Sequence, residues 1–342
     1  MSAFDGNPRE WDAFVRTVPA AHFSHQYEWM RLIEDTYGGD ARYLAAYVGD
    51  ELVGVAPVMV RKVIGDGRVI FATPFADEGG FCVADQAAEA AIIEHVVGLG
   101  HGLGAAYLEV RQRRPMDGDY PCDESRVTLD MPIPADVDTL WGSLSKNMRK
   151  KVRRSERDGL TSEAGGREHL ADFYHIYVAN MQELGSPMHS LRFFEELFDR
   201  FGADALTALV RIAQTQEVAG AAVALQFRKV LAVLCAHSHR AHLSLFPNNM
   251  LYWALLEVAV ERGCTVADFG RSPRDTGIYE FKQSWHMEDH QLYYTRVPIC
   301  GEPEVGERRT GSAYALFQRL WPRLPLSVAR ALGPRIWARL PI

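Results

Sequence analysis

Two stretches of the chain repeat one pattern. Glu51-Leu-Val-Gly54-Val-Ala-Pro-Val-Met-Val60 and Glu217-Val-Ala-Gly220-Ala-Ala-Val-Ala-Leu-Gln226 each begin with Glu after a turn, place Gly three residues on, and continue as an apolar run. Such a run between turn residues reads as a buried strand. A strand precedes each one (43–47 and 206–213) and another follows (69–71 and 230–237). A helix then leads to a further strand in both places. In the first copy the helix is 85–100 and the strand 105–110. In the second the helix runs from Asn248 or Asn249 to Arg262, with Gly263 as its stop, and the strand holds Val266, Ala267, Asp268 and Phe269. A repeated meander–helix–strand order points to two copies of one α/β unit in tandem. The halves expected are 1–125 and 126–300, followed by a helical tail over 301–342. Further helices are expected over 25–37, 138–158, 168–182, 190–200 and 279–285, and a strand over 291–297 is counted with the second half.

The 342 residues suffice for two units of this kind. A formal net charge of −7 excludes a protein that is basic throughout, so any contact with nucleic acid needs a local patch. The five cysteines (82, 122, 235, 264 and 300) are odd in number, scattered and without a C-x-x-C pair. That pattern suits reduced thiols in the cytoplasm better than a disulfide frame or a zinc site. The first residues lack a basic segment leading into an apolar core, and no run of about twenty apolar residues occurs. A cytoplasmic protein is expected.

The chemistry concentrates between Cys264 and Trp285. Gly270 ends the strand, a polar turn carries Arg271, Ser272 and Arg274, and a short helix follows with Tyr279 and Lys282 three residues apart, on one face. Cationic and hydroxyl groups where a strand gives way to a helix suit an anionic or carbonyl-bearing ligand. The alternative is a turn whose arginines are simply solvated. The run Asp268-Phe-Gly270-Arg271-Ser272, with Thr276-Gly277, Tyr279, Phe281-Lys282 and Trp285, resembles the signature of FemAB-like members of the GNAT acyltransferase superfamily. It is most similar to the subgroup associated with PEP-CTERM/exosortase systems and exopolysaccharide clusters. Pro74-Phe75 with Gly79-Gly80, and Leu108-Glu109-Val-Arg111, resemble first-half landmarks of that subgroup.

The resemblance implies two GNAT-like halves and transfer of an acyl or aminoacyl group to an amine. It also implies a cleft in the second half where the 230–238 strand parts from the 266–270 strand. Cys235, His237, Ser238 and His239 would line one wall, Asp268, Arg271 and Ser272 the other, with Tyr279 and Lys282 closing the end. His237 is the base candidate, and Tyr279 and Lys282 are the other catalytic candidates. Asp268, Arg271, Ser272, Asn249 and Tyr252 are expected to bind substrate. His237 and His239 alternate along one strand face as two metal ligands would, but no third ligand stands at a usual spacing, so no metal is expected. A histidine merely satisfied within the fold is the other reading of His237. No G-x-S-x-G accompanies Ser238.

GNAT enzymes usually hold coenzyme A on a glycine-rich turn. Here that turn reads His242-Leu-Ser244-Leu-Phe246-Pro247-Asn248-Asn249, without glycine. The backbone amides of Asn248, Asn249 and Met250 remain as anion donors at a helix start. FemAB-like relatives take an activated amino acid from tRNA, so the donor is either acyl-coenzyme A or aminoacyl-tRNA, and no tightly bound cofactor is expected. Residues 146–157 gather seven basic side chains around a single acid and resemble the family pattern Lys-Asn-x-Arg-x-x-x-Arg. Arg149, Lys150 and Arg153 are the expected phosphate contacts, against the plainer reading of a solvated charged helix. From 308 to 342 seven arginines occur with no acid and no lysine, between Leu and Trp residues. Such a stretch can lie on an anionic membrane, or its helices can pack on the first half with the arginines in water.

The expected function is an N-acyl- or aminoacyltransferase acting on an amino group of a cell-envelope or exopolysaccharide precursor, the exopolysaccharide link being implied by the resemblance alone. A small-molecule or lipid-linked glycan acceptor is expected, with tRNA and the inner membrane face as further candidate partners. A catalytically silent scaffold bound to the membrane through residues 308–342 is the alternative from another class.

Overall fold

The computed structural model describes residues 1–303 and 312–340, a mixed α/β protein of two compact units. The chain begins β1 (Ser2–Ala3), α1 (Pro8–Thr17), α2 (Tyr27–Tyr37), β2 (Asp40–Val48), β3 (Glu51–Val63), β4 (Gly67–Ala72), β5 (Cys82–Val83), α3 (Gln86–Leu103), β6 (Ala105–Gln112) and β7 (Cys122–Asp123). It continues β8 (Arg126–Pro132), α4 (Val137–Ser143), α5 (Lys146–Arg157), β9 (Leu160–Gly165), α6 (Leu170–Glu183), α7 (Leu191–Phe201) and β10 (Ala205–Ile212). Then come β11 (Val218–Phe227), β12 (Val230–Ser238), α8 (Pro247–Glu261), β13 (Val266–Pro273), α9 (Gly277–Gln283), β14 (Glu288–Gln291) and β15 (Tyr293–Pro298). The tail holds α10 (Ser312–Leu320) and α11 (Leu326–Trp337).

Each unit has its own sheet. The first runs β1-β2-β3-β4-β6-β15-β7, with β5 also on β3, and the second runs β14-β8-β13-β12-β11-β10-β9. In both, an antiparallel meander is followed by a crossover helix and a parallel strand: β2-β3-β4 then α3 and β6, β10-β11-β12 then α8 and β13. The repeat in the sequence is therefore a repeat in the fold. Each unit has a separate core. Val58, Ile70, Ile92 and Leu108 lie in the first, and Leu129, Leu206, Leu251 and Trp285 in the second.

The strand beside each parallel strand comes from elsewhere in the chain. β15, counted by sequence order with the second half, pairs antiparallel with β6 from Tyr293↔Gln112 to Pro298↔Tyr107. β8, which follows the first unit, sits beside β13 in the second sheet.

Local chemistry explains where helices begin and end. Asn7 caps α1 by accepting the Arg9 N–H (2.9 Å), with Pro8 at the first helical position; sequence periodicity alone missed this helix, although Asn-Pro was its signal. The single helix expected over 138–158 is two. Leu144 leaves the helical region, and Ser145 starts α5 by accepting the Met148 N–H at 3.1 Å. Phe246 caps α8 in the left-handed region and Pro247 follows at the first helical position.

The tail residues 312–334 group with the second unit, not with the first half. Trp321 and Ala329 are buried there, and the Arg330 guanidinium lies 5.6 Å from the Tyr174 ring centre. Gly185, at φ 68°, lets the tail backbone approach: a Cβ there would stand 2.7 Å from the Gln318 carbonyl oxygen. Residues 335–340 group with the first unit, where the Ile64 N–H donates to the Arg339 carbonyl (3.0 Å). Arg308 and Arg309, part of the basic count, lie outside the described residues.

Candidate active site in the second unit

The parallel pairing of β12 with β13 runs from Val230↔Val266 to Ala232↔Asp268. β12 continues to Ser238, still paired with β11 at Gly220. The far halves of β12 and β13 carry most of the residues singled out in the sequence.

Asp268 organises the end of β13. It is buried, and one carboxylate oxygen accepts both the Thr128 hydroxyl (2.9 Å) and the Gly270 N–H (2.7 Å). Gly270 has φ 70°, a conformation a side chain would strain. Lys282 holds the same turn from the other side. Its ammonium is buried and donates to the carbonyls of Phe269 (2.6 Å), Gly270 (2.9 Å) and Arg271 (3.3 Å). A carboxylate on the turn's N–H and an ammonium on its carbonyls lock the backbone that presents Arg271 and Ser272. Lys282 is thus a clamp on the backbone, and the ligand contact expected of it is not the one its ammonium makes here. The Ser272 hydroxyl is fully buried and has no hydrogen-bond partner, which is costly unless something else meets it.

Tyr279 joins a second group. Its hydroxyl donates to Asp289 (2.9 Å), which also accepts from Arg274 (2.7 Å), and this carboxylate raises the phenol's pKa. Lys282 turns inward from α9, whereas Tyr279, three residues before it, is half-buried with its hydroxyl toward the Arg274–Asp289 pair.

His237 lies on the α6 side of β12. Its Nδ1 is 2.8 Å from the Asn180 side-chain oxygen, and the Asn180 amide nitrogen donates to the Ser238 carbonyl (3.3 Å). Because that second bond orients the amide, Asn180 offers oxygen to the ring, so Nδ1 carries the proton and Nε2 the lone pair. Nε2 is buried and has no hydrogen-bond partner. The Tyr177 ring packs edge-on at 5.1 Å, and burial lowers the imidazole pKa to about 4. The ring is therefore neutral throughout the neutral range, with an enclosed lone pair on Nε2 that no side chain meets. Asn180 was missed in the sequence: an asparagine inside a helix of α6's mixed character carries no signal of its own.

Cys235 shares the strand, and burial pushes its thiol up to about 12, which makes it a poor nucleophile. Ser238 donates to the Asn248 side chain (2.6 Å), and His242 pairs with Glu217 (2.9 Å), lowering the Glu217 pKa.

Two expected binding residues are in the packing instead. Asn249 is buried with its amide against the Met148 sulfur (2.9 Å), joining α8 to α5. Tyr252 stacks on Phe269 at 4.4 Å with Phe281 edge-on at 5.0 Å. The all-round apolar character of α8 draws both side chains inward. The amides of Asn249 and Met250, expected as anion donors, both donate to the Phe246 carbonyl (3.0 and 3.3 Å).

On α5, Met148 and Val152 are buried, so the basic side chains point outward. Lys150 and Arg153 are exposed and Arg149 is half-buried; Arg153 lies 5.3 Å from the Trp141 ring centre. A groove of about 460 Å³ in the first unit, between α3 and residues Met116 to Tyr120, is lined by none of the residues singled out.

Residues 142–283, the segment that holds nearly all of these side chains, match the family described as the acetyltransferase (GNAT) domain. The fold as a whole is similar to that of FemX, with a TM-score of 0.68 at 18% identity, covering 86% of this chain and 97% of that one. It is similar also to the C-terminal domain of a protein described as a lysylphosphatidylglycerol synthetase from Agrobacterium fabrum (TM-score 0.57, 14% identity, 91% and 95% covered). L-PGS from Bacillus licheniformis follows, at a TM-score of 0.53 and 14% identity over 87% and 98% of the two chains. No curated protein matches the sequence. Residues 142–283 therefore carry an acyltransferase domain of the GNAT type, set in a two-unit fold similar to that of FemX.

Proposed function

We propose that the second unit transfers an acyl or aminoacyl group to the amino group of a cell-envelope or exopolysaccharide precursor, a small molecule or a lipid-linked glycan. The observation that carries this reading is the buried, unpartnered Nε2 of His237, held as a lone-pair acceptor by Asn180. Such an acceptor could orient an attacking amine and take its proton, a task otherwise left to water. The Asp268–Lys282 clamp fixes the neighbouring backbone, and the orphaned Ser272 hydroxyl is a donor for a carbonyl oxygen gaining charge. Tyr279 and Arg271 remain candidates for contact with the substrate.

The donor is acyl-coenzyme A or aminoacyl-tRNA. The outward basic face of α5, with Arg149, Lys150 and Arg153, suits the phosphates of either. The likeness to proteins named for lysylphosphatidylglycerol synthesis supports the aminoacyl donor. The association with PEP-CTERM/exosortase systems, and a site of action on the cytoplasmic face of the inner membrane, belong to the same proposal.

The test is single-turnover transfer with each donor to a panel of amine acceptors, comparing wild type with His237→Ala. Loss of about 100-fold or more in rate, with donor affinity kept, is the expected result. Full activity in the variant would remove His237 from the mechanism.

A further inference from the structure

The tail presents a surface that the transfer chemistry does not use. Eleven large hydrophobic residues are exposed among the described residues, and five of them belong to the tail: Leu316, Leu320, Leu326, Val328 and Leu332. The inward positions are filled by other residues, Trp321 and Ala329 buried and Gly333 against Met188, where a Cβ would come within 3.0 Å of the Met188 side chain. The helices are therefore docked, and the leucines are what docking leaves outside.

Helical spacing gathers leucines with arginines. Leu316, Arg319, Leu320 and Arg323 follow one another at intervals of three, one and three, which puts them on one side of α10 and the turn after it. Along α11, Leu326 with Arg330 and Val328 with Leu332 are each four apart, but the two pairs are offset by two residues and flank the buried Ala329 and Gly333 on different sides, so they form no common face. Arg319, Arg323 and Arg330 are exposed, and no acid occurs from 308 onward to neutralise them.

We propose that this outward side of α10 and the turn after it docks on a bilayer carrying anionic lipid headgroups. The arginines meet the headgroups and the aliphatic side chains enter the boundary beneath them. A nucleic acid would satisfy the arginines alone, since a phosphate backbone offers nothing to the exposed Leu316 and Leu320 beside them. The contact is peripheral: among the described residues no helix is long and apolar enough to cross a membrane.

The experiment is co-sedimentation of the full chain with vesicles of equal parts phosphatidylglycerol and phosphatidylcholine, and with vesicles of phosphatidylcholine alone. Binding to the mixed vesicles, much weaker binding to the neutral ones, and release by salt are expected. Leu316→Glu with Leu320→Glu should weaken binding about tenfold or more, and Arg319→Gln with Arg323→Gln about fivefold per arginine. Both variants should keep the wild-type thermal midpoint, because the altered side chains face outward. Failure of the wild type to sediment, or unchanged binding in the leucine variant, overturns the proposal. So does binding to a single-stranded RNA that competes with vesicles and is indifferent to the leucines. None of these readouts depends on transfer activity.

Discussion

At the scale of single residues, His237 shows how one hydrogen bond defines a chemical role. The Asn180 oxygen fixes the tautomer, and burial keeps the ring neutral. The same shift links the residue to stability. Its pKa is about 4 in the folded protein against an ordinary 6.5, so the unfolded chain binds the extra proton between those values. The stabilisation is complete above about pH 6.5 and is lost as pH falls toward 4, by about 3 kcal/mol for this group. Replacing His237 by Gln should flatten the pH dependence of urea unfolding over that window by this amount. A slope unchanged by the substitution would show that the ring titrates normally. His237 was legible in the sequence as a strand histidine, and so was the cluster Asp268, Arg271, Ser272 and Lys282. The clamp was not, because nothing in the order of residues says that an ammonium will find three carbonyls eleven to thirteen residues before it.

At the scale of elements, the sequence was most legible where one periodicity ran unbroken. The meander strands and the crossover helices α3 and α8 lie where their apolar runs placed them. It was least legible where a cap interrupts a pattern: Leu140, Leu144, Met148 and Val152 keep a spacing of four across Ser145, yet Leu144 ends one helix and the serine begins the next. Ser145→Ala should therefore lower stability by about 1 kcal/mol, as loss of an N-cap does, measured by urea denaturation; no change would mean α4 and α5 fuse without cost. The apolar run of α8 misled in another way. Asn249 and Tyr252 are polar enough to suggest ligand contacts, but a helix buried on most sides takes them inward, where Met148 and Phe269 receive them.

At the scale of the whole molecule, the chain returns to its first sheet after building the second, β15 pairing with β6. Residues 1–126 alone would leave β6 without β15, exposing an unpaired edge beside Leu108 and Val110. That fragment should aggregate or stay unfolded, whereas the same fragment with residues 291–303 joined by a flexible linker should give a cooperative melt by circular dichroism. A stable, monomeric 1–126 fragment would contradict the dependence. By itself the sequence determined the α/β class, the doubled unit, and the basic helix and tail, because periodicity, turn residues and charge runs are local properties. Only the tertiary structure decided which sheet the last strand joins, which unit the tail packs on, and which polar side chains are turned inward. Those outcomes depend on pairing and burial between residues far apart in the chain, and no local pattern encodes that choice.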